Sequence, residues 1–241
     1  MDDKNQGFVL QTIRYGDNSL VVKLFTRQAG VQTYMVKGVH GRSSRNRMAF
    51  FQPMTFLRFV QSGRPRPNGM AYLKEPELDY AYQTIPFVLD KSAILVYLAE
   101  LLSHTLTQQE QNEALYQFVF KSVSWLDLVE SHYANFPLYF TLELTRFLGF
   151  YPQPDEQGQG VFDMMEGRFV SQAPPHPYYM EQRQSAVVAM LINCPVDNLS
   201  SIVLSGQQRS ELLDGLITFV RLHAPLTKGI QSHEILKEIF R

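Results

Sequence analysis

FVLQTIRYGDNSLVVKLFTRQAGVQTYMVK, residues 8–37, is the stretch that decides the fold. It breaks into three runs rich in β-branched and aromatic residues, 8–15, 20–26 and 31–37, separated by Gly16 to Asn18 and by a turn closing on Gly30. Val31, Thr33 and Met35 alternate with Gln32, Tyr34 and Val36, and the runs have the length of strands rather than helices. Outward from this core, 54–60 (MTFLRFV) and 69–74 (GMAYLK) read as a fourth and a fifth strand. Five short amphipathic strands in so few residues are most economically buried by a small closed or nearly closed barrel, because closure leaves no bare sheet edge. An SH3-like barrel fits the same pattern.

Beyond about residue 85 the apolar period lengthens to that of a helix. Ile94, Tyr97, Leu98, Leu101, Leu102 and Leu106 place a helix over 90–107, with Asp90 as its cap. Leu115, Phe118, Val119, Leu126 and Val129 place a second over about 112–133, and 138–148 forms a third, with Pro137 in its first turn and Gly149 as its stop. Further helices are predicted at 181–193, at 206–223 behind a Ser205/Gln208 capping box, and at about 232–240. Residues 151–180, rich in Pro, Gly and Gln, read as an irregular insertion with a hairpin around Gly167. The expected class is α+β: a barrel domain over 1–80 and a mainly helical domain over 81–241.

Composition narrows the function. The 241 residues are 45% hydrophobic and 19% charged, which excludes a disordered or low-complexity chain. A single cysteine, Cys194, excludes an internal disulfide and a four-thiolate zinc site. The start, MDDKNQ, lacks the basic residues and apolar core of a signal peptide, and no run approaches the roughly 18 apolar residues of a bilayer span. A cytoplasmic protein without membrane contact is expected. The formal net charge of −1 conceals an asymmetry. Residues 1–80 carry 12 Lys/Arg against 6 Asp/Glu, a balance of +6, and the other 161 carry 10 against 17, a balance of −7. No acid lies between Asp17 and Glu75, whereas ten basic residues do, a pattern that points to a polyanionic partner.

Catalytic motifs are missing. There is no phosphate-binding loop, and Gly158-Gln-Gly160 lacks the strand and helix that would make it a nucleotide cradle. No G-x-S-x-G elbow occurs, and the six histidines show neither His-x-His nor H-E-x-x-H spacing. Glu100 and His104 share a helical face, where a structural pair or mere coincidence outweighs a metal site. Cys194, before Pro195, reads as a small packed hydrophobe, and Asp127 and Glu130 as solvated helix-surface charges. No cofactor and no metal are expected, and the chain reads as a non-enzyme.

The basic residues therefore carry the functional reading. Lys37, Arg42, Arg45 and Arg47 lie in or beside GVHGRSSRNRM, whose Gly, Ser and Asn predict an exposed loop. Arg64 and Arg66 alternate with prolines in the next loop, and Lys23, Arg27 and Arg58 are additions from strands. Neutralising about six phosphates would make affinity fall with salt at a log–log slope of roughly −4 to −5. Any one such residue is ordinarily a solvated surface charge; ten without one acid are not. Tyr34, Phe50, Phe51, Phe56 and Phe59 are candidate stacking residues, although alternation in a small barrel turns such positions into the core.

These strings resemble the bacterial RecO family of recombination mediators and DNA-repair proteins. The shared features are Asp17 and Ser19 after an apolar strand, Leu24-Phe25-Thr26, Gly30, Val36-Lys37-Gly38 with Arg42 and Ser44, and Gln52-Pro53. Glu100-Leu101-Leu102, Phe147-Leu148-Gly149-Phe150, and Ser232 with Glu234 extend the likeness over most of the chain. The resemblance implies an oligonucleotide/oligosaccharide-binding (OB) barrel followed by a helical domain. It also implies binding of single- and double-stranded DNA, annealing of complementary strands, and association with the nucleoid. The implied partners are RecR and the C-terminal tail of single-stranded DNA-binding protein, and the implied role is loading of recombinase on coated DNA. Lys37 and Arg42 match the family's basic segment. Two departures stand out. Many members carry four zinc-binding cysteines after the Leu-Gly-Phe helix, whereas 153–172 here hold none, which implies a metal-free variant. Where the family has a basic residue for the protein tail, this chain has Leu138 and Tyr139, leaving Lys121 and Arg146 as substitutes.

Overall fold

A computed structural model describes residues 4–39, 48–63, 70–106, 110–153, 160–192, 194–224 and 229–240. The opening stretch forms three antiparallel strands, β1 (Asn5–Tyr15), β2 (Ser19–Thr26) and β3 (Gly30–Lys37). Gly30 turns the chain into β3 with a left-handed φ of 65°, open to glycine at little cost. After them come β4 (Phe56–Ser62) and β5 (Ala71–Leu78). β5 runs parallel to β3 and antiparallel to β4, and β4 closes on β1, giving a barrel in the order β1-β2-β3-β5-β4. This Greek-key order with its parallel β3–β5 seam is that of the OB fold and decides against the SH3-like alternative.

Alternation fills the barrel. Leu20, Val22, Leu24, Tyr34, Val36, Leu57, Phe59 and Leu73 point inward and are almost wholly buried. The candidate stacking residues Tyr34, Phe51, Phe56 and Phe59 are core residues, and Phe50 packs partly exposed against them. A bulge in β1 between Val9 and Gln11 leaves Leu10 as the extra residue, which resets the alternation. Beyond it, Gln11, Ile13 and Tyr15 lie opposite Lys23, Val21 and Ser19 on the outer face.

The helical domain comprises α1 (Leu89–Thr105), α2 (Glu113–Leu128), α3 (Phe136–Leu148), α4 (Gln182–Ile192), α5 (Gly206–His223) and α6 (His233–Ile239). The capping box of Ser205 and Gln208 is formed, and Gly149 ends α3 at φ 90°. Three sequence expectations need correction. Val88 caps α1 and Asp90 lies inside its first turn; α2 stops at Leu128, where Val129 turns extended; and 151–180 contains a small sheet. That sheet orders β6 (Val161–Asp163) between β7 (Arg168–Val170) and β8 (Tyr179–Met180), and Gly167, at φ 66°, turns the predicted hairpin. Among the described residues no helix is long and apolar enough to cross a membrane.

One side of the barrel is closed by the helices. Phe8, Phe25 and Phe56 are fully buried and belong to the helical core rather than the barrel interior. Phe8 stands 5.4 Å from Phe25 and 5.5 Å from Phe56, and Phe56 meets Phe120 of α2 edge-on at 5.2 Å. Each such side chain contributes on the order of 1.5–3 kcal/mol by leaving water. The connector is tied down by Asp127, another correction: its carboxylate is fully buried rather than solvated. It accepts from the amides of Gln83 (2.8 Å), Thr84 (2.9 Å) and Ile85 (2.9 Å) and from the Tyr80 hydroxyl (2.9 Å). Burial opposes its charge, but these donors outweigh burial and hold the carboxyl below its ordinary range. Lys91 completes the knot, donating to Thr84 and to the carbonyls of Asp127 and Val129.

Candidate nucleic-acid interface

With the helices on one side, the face across the far ends of β1, β2, β3 and β5 is left open. The register aligns Ile13 with Val21, Val21 with Met35, and Met35 with Tyr72, a continuous outward row. Ile13 is 54% and Tyr72 37% exposed. A second row, Tyr15–Ser19–Lys37, borders it on the side of the β1–β2 turn, and a third, Gln11–Lys23–Thr33, on the opposite side. Tyr15 is 59% exposed. The Lys37 ammonium sits 4.8 Å from the centre of the Tyr72 ring, a cation–π contact at the edge of the row. The arrangement is an apolar and aromatic strip between cations, suited to stacking flat rings while holding anions at its margins.

The sequence-predicted cations divide. Lys23 and Lys37 share this face and flank the apolar row from opposite sides. Lys23 is half-buried, and burial lowers its ammonium pKa. Lys74 is exposed and, like Lys37, has no ion pair among the described residues. Arg27 sits at the other end of the barrel, beyond Thr26. Its guanidinium grips Glu113, in the first turn of α2, through bonds of 2.7 and 2.8 Å from Nε, and Gln6 at 2.8 Å. Its geometry is that of a tie between barrel and helices. Arg58 pairs with Asp79 at 3.0 Å, and Lys4 with Glu77 at 2.6 Å. Within the acid-free interval, Arg27 and Arg58 are thus paired with acids that follow it, Glu113 and Asp79. Arg42, Arg45, Arg47, Arg64 and Arg66 lie outside the described residues.

On the helical domain, Lys121 is exposed on α2. Arg146, in the last turn of α3, bonds Glu143 at 3.2 Å and lies 3.7 Å over the Tyr151 ring. Tyr151 in turn donates to Glu143 at 2.7 Å, so Arg146 is fixed in a local cluster. Glu100 caps the start of the α6 segment: it accepts from the amides of Gln231 (3.0 Å) and Ser232 (2.7 Å) and from the Ser232 hydroxyl. Among the described residues, one group has metal-ligand geometry, Asp214, His233 and Glu234. The Lys237 ammonium stands 2.9 Å from Asp214 and 2.8 Å from Glu234, and supplies the positive charge there.

Sequence reasoning missed Tyr15, Tyr72 and the row between them. The signal was present in the alternation of Ala71 and Leu73 around Tyr72, but the pairing partner of β5 was needed to say which side faces water.

A closed five-stranded barrel of OB topology, with an open aromatic and cationic face and a helical domain packed behind it, defines an OB-fold protein. Comparison with known sequences gives the family. The model described as Recombination protein O N terminal matches residues 1–82, and that described as Recombination protein O C terminal matches residues 86–229. The chain is 31% identical over 241 residues to the DNA repair protein RecO of Phocaeicola vulgatus, covering all of both chains. It is 31% identical to that of Flavobacterium psychrophilum, again over the full length of both, and 27% identical to that of Porphyromonas gingivalis over 98% of each. The chain belongs to the RecO family of DNA repair proteins.

Proposed function

We propose that this protein is a DNA-binding recombination mediator without a catalytic step of its own. It binds single- and double-stranded DNA, anneals complementary strands and, with RecR, helps load recombinase on DNA coated by single-stranded DNA-binding protein, in the cytoplasm at the nucleoid. The observation that carries this reading is the open barrel face, where Tyr15 and Tyr72 lie beside Lys23, Lys37 and Lys74. In barrels of this topology the surface across the second and third strands, with the adjoining loops, binds oligonucleotides. Exposed rings supply sequence-tolerant stacking and the lysines supply phosphate contacts, with Arg42, Arg45, Arg47, Arg64 and Arg66 as further candidates.

The test is annealing of complementary strands coated with single-stranded DNA-binding protein. Annealing that requires the acidic tail of the coating protein is expected; annealing no faster than the spontaneous reaction overturns the reading. Replacing Arg42, Arg45 and Arg47 together by Ala is expected to weaken single-strand binding and flatten its salt slope.

A second reading, an adaptor in which the helical domain carries the function, draws on Phe87 and Leu89, which are 84% and 74% exposed at the start of α1. Lys121 and Arg146 are the candidate partner contacts on that domain. Retention of repair by a chain with a neutralised barrel face, together with capture of RecR or the coating protein, would favour it.

A further inference from the structure

Where β3 and β5 diverge at the edge of the open face, the barrel has a cavity of about 470 Å³. Its walls include Phe50, Leu73 and Pro76, and Lys37, Lys74 and Glu75 also line it. The volume falls in the range of small-molecule sites, and the lining is more polar than is usual for them, with three charged side chains against an apolar wall. Lys37 belongs both to this cavity and to the open face, through its contact with Tyr72.

The backbone at this cavity is unusual. The β4–β5 register advances from Arg58–Glu77 to Val60–Lys74, so β5 carries one residue more than β4 across that step. Within the bulge Glu75 adopts φ 50°, the left-handed region that a glycine would occupy without penalty. Bulges of this kind re-aim a side chain, and a strained non-glycine residue is found where the surrounding structure holds it in place. Here the side chain is an exposed carboxylate that lines the cavity together with Lys37 and Lys74, neither of which has an ion pair among the described residues.

An anion alone does not account for that set, because Glu75 would repel it. A nucleotide does: phosphates suit Lys37 and Lys74, the flat base suits Phe50, and the carboxylate suits hydrogen-bond donors on the base edge. Guanine presents two such donors side by side, its ring N1–H and its exocyclic amino group, and a carboxylate accepts both. We propose that this cavity takes one unstacked guanine from a single strand lying on the open face. The inference rests on the DNA-binding reading and adds a base preference to a surface that otherwise reads only charge and stacking.

The experiment uses the full chain and three fluorescein-labelled oligo(dT) strands that carry at the centre a guanine, a thymine or an abasic site. Affinities are measured by anisotropy at several salt concentrations. The guanine strand is expected to bind about tenfold more tightly than the other two, the scale of a charge-assisted hydrogen bond to the carboxylate, and the thymine and abasic strands about equally, because a flanking thymine can enter the cavity in either. Glu75→Gly removes the carboxylate at a position where glycine is unstrained, and is expected to bind guanine and thymine strands equally while its melting temperature does not fall. Equal affinities of the unaltered protein for all three strands, with an ordinary salt slope, overturn the guanine site and leave the DNA-binding reading standing. A guanine preference that survives Glu75→Gly overturns its assignment to this cavity. Failure to bind any of the strands overturns both readings.

Discussion

Replacing Asp127 by Asn tests how the two parts of the molecule are held together. The carboxylate accepts from Thr84 and Ile85 on one oxygen and from Gln83 and Tyr80 on the other. An Asn oxygen can keep the first pair. Its amide nitrogen then faces Gln83 N–H, donor against donor, whereas Tyr80 can rotate its hydroxyl to accept. The Gln83 amide, in a part-buried bond, loses its acceptor at a cost of about 1 kcal/mol, and the other bonds lose their charge assistance. The expected loss is about 2–4 kcal/mol at pH 7, and about 3–5 kcal/mol for Asp127→Ala, which strips every acceptor. Because the folded state holds this carboxyl below its ordinary range, its contribution is complete above the unfolded value near pH 4 and disappears as pH falls through the lower, folded value. Urea unfolding followed by tryptophan fluorescence from Trp125 between pH 7 and pH 3 should show the gap between parent and Asp127→Asn closing toward acid. A loss below about 0.5 kcal/mol at pH 7, or a gap independent of pH, would refute the reasoning.

Tyr72→Ala and Tyr15→Ala should each cost single-strand binding about 1–3 kcal/mol while leaving the salt slope unchanged, measured by fluorescence titration at several salt concentrations. Lys37→Ala with Lys74→Ala should instead reduce the magnitude of that slope by about 1.4, two phosphates' worth for a single strand. Arg27→Ala should leave slope and affinity unaltered, because its guanidinium already faces Glu113; a change in slope would place phosphate at that end of the barrel. Phe56→Ala, which empties the contact between barrel and helices, should destabilise by about 3–5 kcal/mol in the same urea assay.

The barrel was legible because its strands are short, alternate cleanly and are punctuated by turns, so that Leu20, Val22, Tyr34 and Val36 announce the inner face. The helices were legible from spacing and caps, Ser205 and Gln208 above all. What escaped the sequence depends on contacts distant along the chain. Asp127 looks like a helix-surface charge until residues 83–85 bring three amides to it, more than 40 positions away in sequence. Arg27 looks like its neighbours in the acid-free interval until α2 delivers Glu113. Tyr72 emerges as a surface ring only through its register with Met35, while the more conspicuous Phe51, Phe56 and Phe59 are consumed by packing. Charge along the sequence located the basic stretch, but pairing with acids distant in the sequence distinguishes Arg27 and Arg58 from Lys37 and Lys74 among the described residues.

The most direct test of the account is lysine-acylation footprinting of the 241-residue chain, free and saturated with a single-stranded oligonucleotide, read by mass spectrometry. Lys37 and Lys74 are predicted to lose reactivity on binding, while Lys121 on α2 and Lys237 on α6 react as before. Protection of Lys121 with Lys37 and Lys74 unchanged would contradict the account and place the nucleic acid on the helical domain.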